Sequence, residues 1–305
     1  MDALSDIIEL IKLSSVVYCK WEYSSPWGIN VGVSKHAQFH MLTSGSCILR
    51  FKDKTIKLNT GDIVLFPFGD PHYLGEADPK GNSVTGLEFL KAVKKGVPIF
   101  KKEEVHTTLV CGHFVLDREF NHSFIQSLPE YIHITQDDHG SISTINEVIN
   151  LLIKETSEGV LGSDIVIRRL AEILFVTIIR SYIKKKNITN GFLGALTSKD
   201  VSKALKLIHK NYPQKLTLNI IAENIHISRA ALAAKFKSQT GFTPIDYLYK
   251  WRMQKAYDLL KNTNTSLREI SEKVGYTSFP AFNKAFKKSF NVTPGKFRKE
   301  LMNNA

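Results

Sequence analysis

Two stretches toward the C-terminal end carry one pattern: LNIIAENIHIS (Leu218–Ser228) and LREISEKVGYT (Leu267–Thr277), 49 residues apart. After one inserted residue the match resumes at an offset of 50, LAAKFKSQTGFTPIDY (Leu232–Tyr247) against FNKAFKKSFNVTPGKF (Phe282–Phe297). Leu232 then matches Phe282, Phe236 matches Phe286, Pro244 matches Pro294 and Tyr247 matches Phe297. Two copies fall short of the three that a solenoid needs, so the pattern reads as a duplicated supersecondary unit. Each copy is a short helix, a tight turn and a second helix. In the second copy Ser266 and Glu269 form a capping box that starts the first helix, and Gly275 sits where a left-handed residue ends it. Ser278 stands at the cap of the second helix, and Ile270, Val274, Phe282 and Phe286 supply one apolar face. The first copy uses Ile221, Ala222, Ile225, Leu232 and Phe236 in the same way, with His226 in place of Gly275. Histidine reaches positive φ more often than most residues, so that turn survives at some cost.

This is a helix-turn-helix pattern, whose second helix lies in a DNA major groove. A single copy is a weak signal, because many helical hairpins share it. Between the copies, Tyr249, Met253, Ala256 and Leu260 are spaced four, three and four, which predicts a continuous helix with one buried stripe. From Ile245 to Leu260 it would span about 24 Å, enough to set two reading helices roughly one DNA turn, about 34 Å, apart. Charge supports a polyanionic partner. The 305-residue chain carries a net charge of +12, and Thr197–Ala305 alone holds 20 basic and 7 acidic residues, a net of +13. The remainder holds 21 basic and 22 acidic residues. A compact basic module beside a neutral one points to nucleic acid.

The region from Val201 to Lys299 resembles the arabinose-regulator (AraC/XylS) family of bacterial transcription factors. The pairing of F-K-x-x-T-G-x-T-P with F-K-x-x-F-x-V-T-P carries the resemblance. It implies that Arg229, Ala230, Ala233 and Ala234 of the first reading helix face the groove. In the second helix it implies Ser278, Phe279, Pro280, Asn283 and Lys284. Helical geometry agrees: with Leu232 and Phe236 in the core, Ala230, Ala233, Ala234 and Lys237 lie away from it. Lys235, Lys237, Lys287 and Lys288 read as phosphate contacts, which position the protein without specifying sequence. Each lysine taken singly could equally be a solvated surface charge.

The first 138 residues read differently. Runs such as SCILRF, TIKL, DIVLFPF and HTTLVCGHFVL, punctuated by Gly, Asp, Asn and Pro, predict β-strands. GDIVLFPFGDPH (Gly61–His72) fits G-x5-P-x-G-x2-H, the second half-motif of the cupin barrel. Upstream, QFHMLTSG (Gln38–Gly45) lies where cupin metal enzymes place H-x-H-x3-E. Here those positions hold Gln38, His40 and Ser44, so two of the four usual ligands are missing, with His36 and His113 the nearby replacements. Metal sites normally have three or four protein ligands, and His40 and His72 read instead as hydrogen-bonded pocket histidines. No metal and no cofactor is expected. The stretch Thr107–Ile134, with the cupin half-motif, resembles the sensor domain of one AraC branch and implies a small effector in the barrel. Gln38, His40, Phe66 and His72 are its candidate contacts, with Phe39, Phe68 and Tyr73 as further aromatic candidates or plain core.

Helical patterns at Ile142–Thr156 and Ser163–Lys184 fit either a homodimer seam or a layer packed on the barrel. The linker-like Lys184–Gly194 follows. The expected architecture is α+β: a cupin-like sensing domain over 1–138, a helical linker and dimerisation segment over 139–196, and an all-α DNA-binding domain over 197–305. Three cysteines, Cys19, Cys47 and Cys111, show no metal spacing and fit a reducing compartment. No apolar run is long enough for a membrane span, and the acidic N-terminal segment is no secretory signal. The chain is therefore expected to be a cytoplasmic, non-enzymatic regulator. Its partners would be double-stranded promoter DNA, a small effector and, by the resemblance, RNA polymerase. Two other readings compete: a metal-dependent cupin enzyme fused to a DNA-binding domain, and a DNA-binding protein that needs no ligand.

Overall fold

The structure is a computed structural model and describes residues 2–95, 97, 99–100, 104–116, 122–136, 143–158 and 160–303. Its strands are β1 (Ser14–Tyr23), β2 (Gly28–Val31), β3 (Ala37–Ser44), β4 (Ser46–Phe51), β5 (Lys54–Asn59), β6 (Ile63–Phe66), β7 (His72–Gly75), β8 (Ser83–Thr85), β9 (Thr107–Val115) and β10 (Ile132–Ile134). Its first helices are α1 (Ala3–Leu10), α2 (Gly86–Lys94), α3 (Ser123–Gln126), α4 (Ser143–Glu158) and α5 (Ser163–Lys185). These are followed by α6 (Gly191–Thr197), α7 (Lys199–Asn211), α8 (Leu218–Ile225), α9 (Arg229–Thr240), α10 (Pro244–Asn262), α11 (Leu267–Lys273), α12 (Phe279–Phe290) and α13 (Pro294–Asn303). They form two compact units. One comprises Lys12–Asp117 and Leu128–Asn187, the other Met1–Ile11, Arg118–Ser127 and Ile188–Ala305.

The β-rich unit holds two five-stranded sheets, ordered β1-β9-β3-β6-β10 and β5-β4-β7-β2-β8. Their inner faces share one core, with Leu42, Val64, Phe66 and Leu109 from the first sheet and Leu49, Phe51, Leu58 and Leu74 from the second. Strand alternation sorts β3: Phe39 and Met41 are fully buried on the face away from Gln38 and His40. Phe39 stacks on Phe114 at 4.8 Å, and Phe114 meets Phe175 of α5 at 5.0 Å. The half-motif Gly61–His72 is the turn into β6 and the tight return to β7. Gly69 holds φ +70, and a Cβ there would stand 2.3 Å from the Ser34 carbonyl oxygen, so only glycine fits.

The helical segment departs from the expected division. α4 and α5 pack on each other and on the first sheet, burying Ile145, Val148, Leu152, Leu170, Leu174, Phe175 and Ile178. Ser15 donates a hydrogen bond to the Arg168 carbonyl at 2.8 Å. They form a layer of the barrel unit, because an apolar stripe this long is stabilised by the nearest apolar sheet. Ile142, the expected start of α4, lies outside the described residues. At the other end α6 belongs to the helical unit, and so does α1, whose Ile7 and Leu10 are buried there. The unit boundaries thus cut across both 1–138 and 139–196.

In the helical unit the duplicated pattern folds as two helix pairs joined by α10. The TP of each copy has one role: Thr243 accepts from the Asp246 amide at 3.1 Å and Thr293 from the Lys296 amide at 3.4 Å, each with proline next in the first turn. α10 runs 19 residues, and its buried band is wider than the one stripe expected. Met253, Ala256 and Leu260 are buried as expected, but Tyr249 is exposed. Tyr247, Leu248, Trp251, Arg252 and Tyr257 are buried instead, because α10 has helices packed around most of its circumference.

Candidate nucleic-acid interface and barrel cavity

In the first copy Ile221, Ala222, Ile225, Leu232 and Phe236 are buried, as the repeat requires. Thr217 caps α8 by accepting from the Ile220 amide at 3.3 Å, and Ser228 caps α9 from the Ala231 amide at 3.2 Å. The turn between them rests on His226 at φ 60, ψ 46, in the left-handed region. In the second copy the left-handed residue is Gly275 at φ +83. Ser266 accepts from the Glu269 amide at 3.2 Å, the first half of the capping box. Ser278 takes the cap position of α12, but its hydroxyl makes no capping bond, and Pro280 occupies the first turn instead.

These caps and cores orient two outer faces. On α9, Arg229, Ala230, Ala234, Lys235 and Lys237 are exposed and Ala233 is half-buried. On α12, Ser278, Phe279, Pro280, Lys284 and Lys287 are exposed and Asn283 is half-buried. Every DNA-facing candidate therefore lies on an outer helix surface. One is engaged within the chain: Lys235 Nζ donates to Asp200 at 2.6 Å, and that lysine holds the Asp200 carboxyl below its ordinary range.

Sequence reading missed two supports of this surface. Arg252, only 7% exposed, donates to the Tyr212 carbonyl at 2.7 Å and the Gln214 carbonyl at 2.8 Å. It ties α10 to the loop that leads into α8. The second is a buried polar chain. His122 accepts from the Phe124 amide through Nδ1 at 3.0 Å, which leaves its Nε2–H to donate to the Tyr247 oxygen at 3.5 Å. The Tyr247 hydroxyl then donates to His209 Nε2 at 2.8 Å, and His209 Nδ1–H donates to Asp6 at 3.1 Å. Burial, then the nearby His209 and Lys250, hold His122 down to about 3. Burial also lowers His209, against the opposing pull of Asp6. Both rings are neutral near pH 7. The partners lie up to 203 residues apart, beyond any local signal.

The barrel unit holds an open-mouthed cavity of about 440 Å³, within the range of small-molecule sites. Gln38 and His40 line it, as does His36. Phe66 and His72 do not: Phe66 stacks on His72 at 3.9 Å, with Phe66 in the core. Phe39 and Phe68 are also absent from the wall, and so is Tyr73, whose hydroxyl donates to the Glu76 carbonyl. The aromatic wall comes instead from Trp21, Tyr23 and Trp27 on β1 and its following loop, and Phe89 on α2.

His40 and His72 form a relay. His72 Nδ1–H donates to the Asp70 carbonyl at 2.8 Å, so its Nε2 accepts from His40 Nε2–H at 2.8 Å. His40 Nδ1 then accepts from the Cys111 thiol at 3.2 Å. Burial pushes His72 down to about 4 and His40 well below its ordinary value, and pushes the Cys111 thiol up. The four cupin positions do not fit a metal. Two tetrahedral ligands at about 2.0 Å from one ion stand roughly 3.3 Å apart, wider than these two nitrogens. Gln38 and the exposed Ser44 fill the other positions. Among the described residues no three His, Cys, Asp or Glu side chains gather for a metal ion.

A cavity-bearing two-sheet barrel and a basic, duplicated helix-turn-helix unit in one chain define a transcription regulator with a barrel domain. Residues 2–184 match the cupin family and residues 221–300 the helix-turn-helix domain family. The chain belongs to the cupin family and, with its helix-turn-helix domain, to the AraC-type DNA-binding transcription regulators. It is 28% identical to an HTH-type transcriptional regulator of Haemophilus influenzae, over 99% of each chain. It is also 28% identical to the HTH-type transcriptional regulator AlkR of Acinetobacter baylyi, over 98% of this chain and 100% of that one. The Msm operon regulatory protein of Streptococcus mutans is 39% identical over 34% of this chain and 37% of its own. Among the described residues no helix is long and apolar enough to cross a membrane.

Proposed function

We propose that a small molecule held in the barrel cavity changes the affinity of the helical unit for promoter DNA. The observation that carries this reading is the aromatic-lined cavity in the same chain as two outward-facing, basic helices of the recognition type. Arg229, Ala230, Ala233 and Ala234 of α9 face base edges in one major groove. Ser278, Phe279, Pro280, Asn283 and Lys284 of α12 face them in the next, about 34 Å away. Lys235, Lys237 and Lys287 meet phosphates, Lys235 after exchanging Asp200 for DNA. α9 contributes methyl contacts to thymine, with Arg229 as its one hydrogen-bonding reader, while Asn283 and Lys284 give α12 more hydrogen-bonded readout.

Leu151, Ile165, Val166 and Ile173 remain exposed on α4 and α5, and this surface is the seam of a homodimer. RNA polymerase is the further partner at the promoter, in the cytoplasm. The barrel binds rather than catalyses. Stoichiometric metal in the purified protein together with turnover of a bound molecule would favour the enzyme reading instead.

The test is a mobility-shift titration of the full chain on promoter fragments flanking its own gene. Binding should weaken steeply with salt, because phosphate contacts release counterions. A ligand of the barrel should raise the melting temperature by mass action and shift promoter affinity in the same preparation. Failure to bind any such fragment at low salt would overturn the DNA reading. Promoter affinity indifferent to every barrel ligand would leave a regulator that needs none.

A further inference from the structure

The cavity wall combines aromatic and aliphatic side chains. Tyr23 and Trp27 stack at 4.2 Å and 10°, and Trp21 meets Phe89 edge-on at 4.9 Å. Ile29, Leu74 and Leu109 face the same space. Lys35, an exposed residue, is the sole lysine, arginine or carboxylate among the described lining residues. Of the buried titratable groups, His40 is neutral within its relay and Cys111 is a protonated thiol. A carboxylate or phosphate ligand would find no buried cation. A polyol would lose its water without enough partners in return. An ammonium ion would meet aromatic rings, the one attraction available to it, but no carboxylate. Tyr23 and Trp27 have moreover turned faces toward each other, so the rings form a wall and not a cage.

A flat π-surface suits that wall, through offset or edge-on ring contacts. Three residues of the wall also carry a buried polar atom without a hydrogen-bond partner among the described residues: Trp21 Nε1, Trp27 Nε1 and Gln38 Oε1. Such atoms are costly when left unpaired, and a ligand with one or two hydrogen-bonding groups relieves part of that cost once a small side-chain shift uncovers them. We propose that the cavity takes an uncharged, planar aromatic molecule bearing one or two hydrogen-bonding groups, seated against Trp21, Tyr23, Trp27 and Phe89. The assignment rests on the reading of the barrel as the sensing site.

Calorimetric titration of the full chain tests it with nitrobenzene, 1-octanol, benzoate, tetramethylammonium and xylose as probes. Nitrobenzene should bind at least about tenfold tighter than each of the others. Trp27→Leu should lose about tenfold of that affinity, whereas Phe39→Leu, an aromatic change outside the cavity, should keep it. Circular dichroism confirms that both variants fold, and Trp21→Phe supplies a gentler second variant. Equal or tighter binding of 1-octanol shows that ring planarity is irrelevant and overturns the class. Tighter binding of benzoate, tetramethylammonium or xylose overturns it through charge or polarity. No binding of any probe up to about 1 mM also overturns it. If one of those other probes binds and shifts promoter affinity, the sensing reading stands and only the ligand class falls. If nitrobenzene binds and promoter affinity stays fixed, the class stands and the sensing reading falls.

Discussion

The two helix-turn-helix copies share a backbone plan and differ in what fills it. Phe236 packs on Tyr247 at 5.6 Å in the first, and Phe286 packs on Phe297 at 5.9 Å in the second. The second core is purely aromatic there, with Tyr257 and Phe290 joining Phe286 and Phe297. The first adds a hydroxyl and extends it into the chain His122–Tyr247–His209–Asp6, with the His209 ring flat on Trp251 at 3.6 Å. At the Tyr247/Phe297 position one oxygen thus ties the first copy's core into a chain of bonds that needs matched protonation. The turns differ as well. Gly275 is hemmed in by the Pro213 carbonyl and Arg252, whereas His226 is exposed and carries a full side chain at positive φ.

The sharpest break should come at the turns. In Gly275→Ala the new Cβ stands 2.5 Å from the Pro213 oxygen at φ +83. The strain and the clash together should cost roughly 3 kcal/mol, read as a lowered urea midpoint. His226→Gly should change stability by less than about 1 kcal/mol, since relief of left-handed strain is offset by greater freedom of the unfolded chain. Equal losses in the two variants would erase the distinction between the turns.

Next come the cores. Tyr247→Phe removes one hydroxyl and leaves His122 and His209 short of a partner inside the fold, a loss of about 1–3 kcal/mol. Phe297→Leu loses packing but gains no pH dependence. The first copy should be the acid-labile one. His122 has an ordinary value of 6.5 and is held to about 3. Between those values the unfolded chain binds a proton that the folded chain refuses. Its contribution is complete above pH 6.5 and drains away as pH falls toward 3. Urea midpoints followed by Trp251 fluorescence, in a Trp21→Phe, Trp27→Phe background, should drop over that range. His122→Gln should flatten the drop, and an unchanged slope would remove His122 from the account.

Readout comes third. Asn283→Ala should cost about 1–3 kcal/mol of discrimination at one base pair, whereas Ala233→Gln should change the preferred base without unfolding the domain. Selected-site sequencing separates the two, and unchanged operator choice in Ala233→Gln would take the alanine face out of the groove. Lys287→Ala should weaken all sites alike and lower the salt slope by about 1. Smallest of all, Lys235→Ala removes an exposed ion pair and should leave the thermal midpoint unmoved.

The duplicated unit was legible because its signals are local. Caps, positive-φ turns and an apolar face repeating every three to four residues all lie within one copy. The cavity was half legible. The cupin half-motifs offered Gln38 and His40, which line it, but the same reading offered His72 and the aromatic residues Phe39, Phe66, Phe68 and Tyr73, which do not. Trp21, Trp27 and Phe89 carried no signal, being residues that read equally well as core.

By itself the sequence determined the two-copy architecture, the concentration of positive charge in the last third, and the cupin turn at Gly69. Each depends on backbone conformation or composition within a few residues. Only the tertiary structure decided which side of each strand became cavity and that α4 and α5 lie on the barrel. It alone buried Arg252 against two carbonyls and brought Asp6 to His209. A buried polar group must find its partner wherever the chain passes, and an apolar face settles on whichever surface the closed fold presents. Neither choice is made by neighbours in sequence.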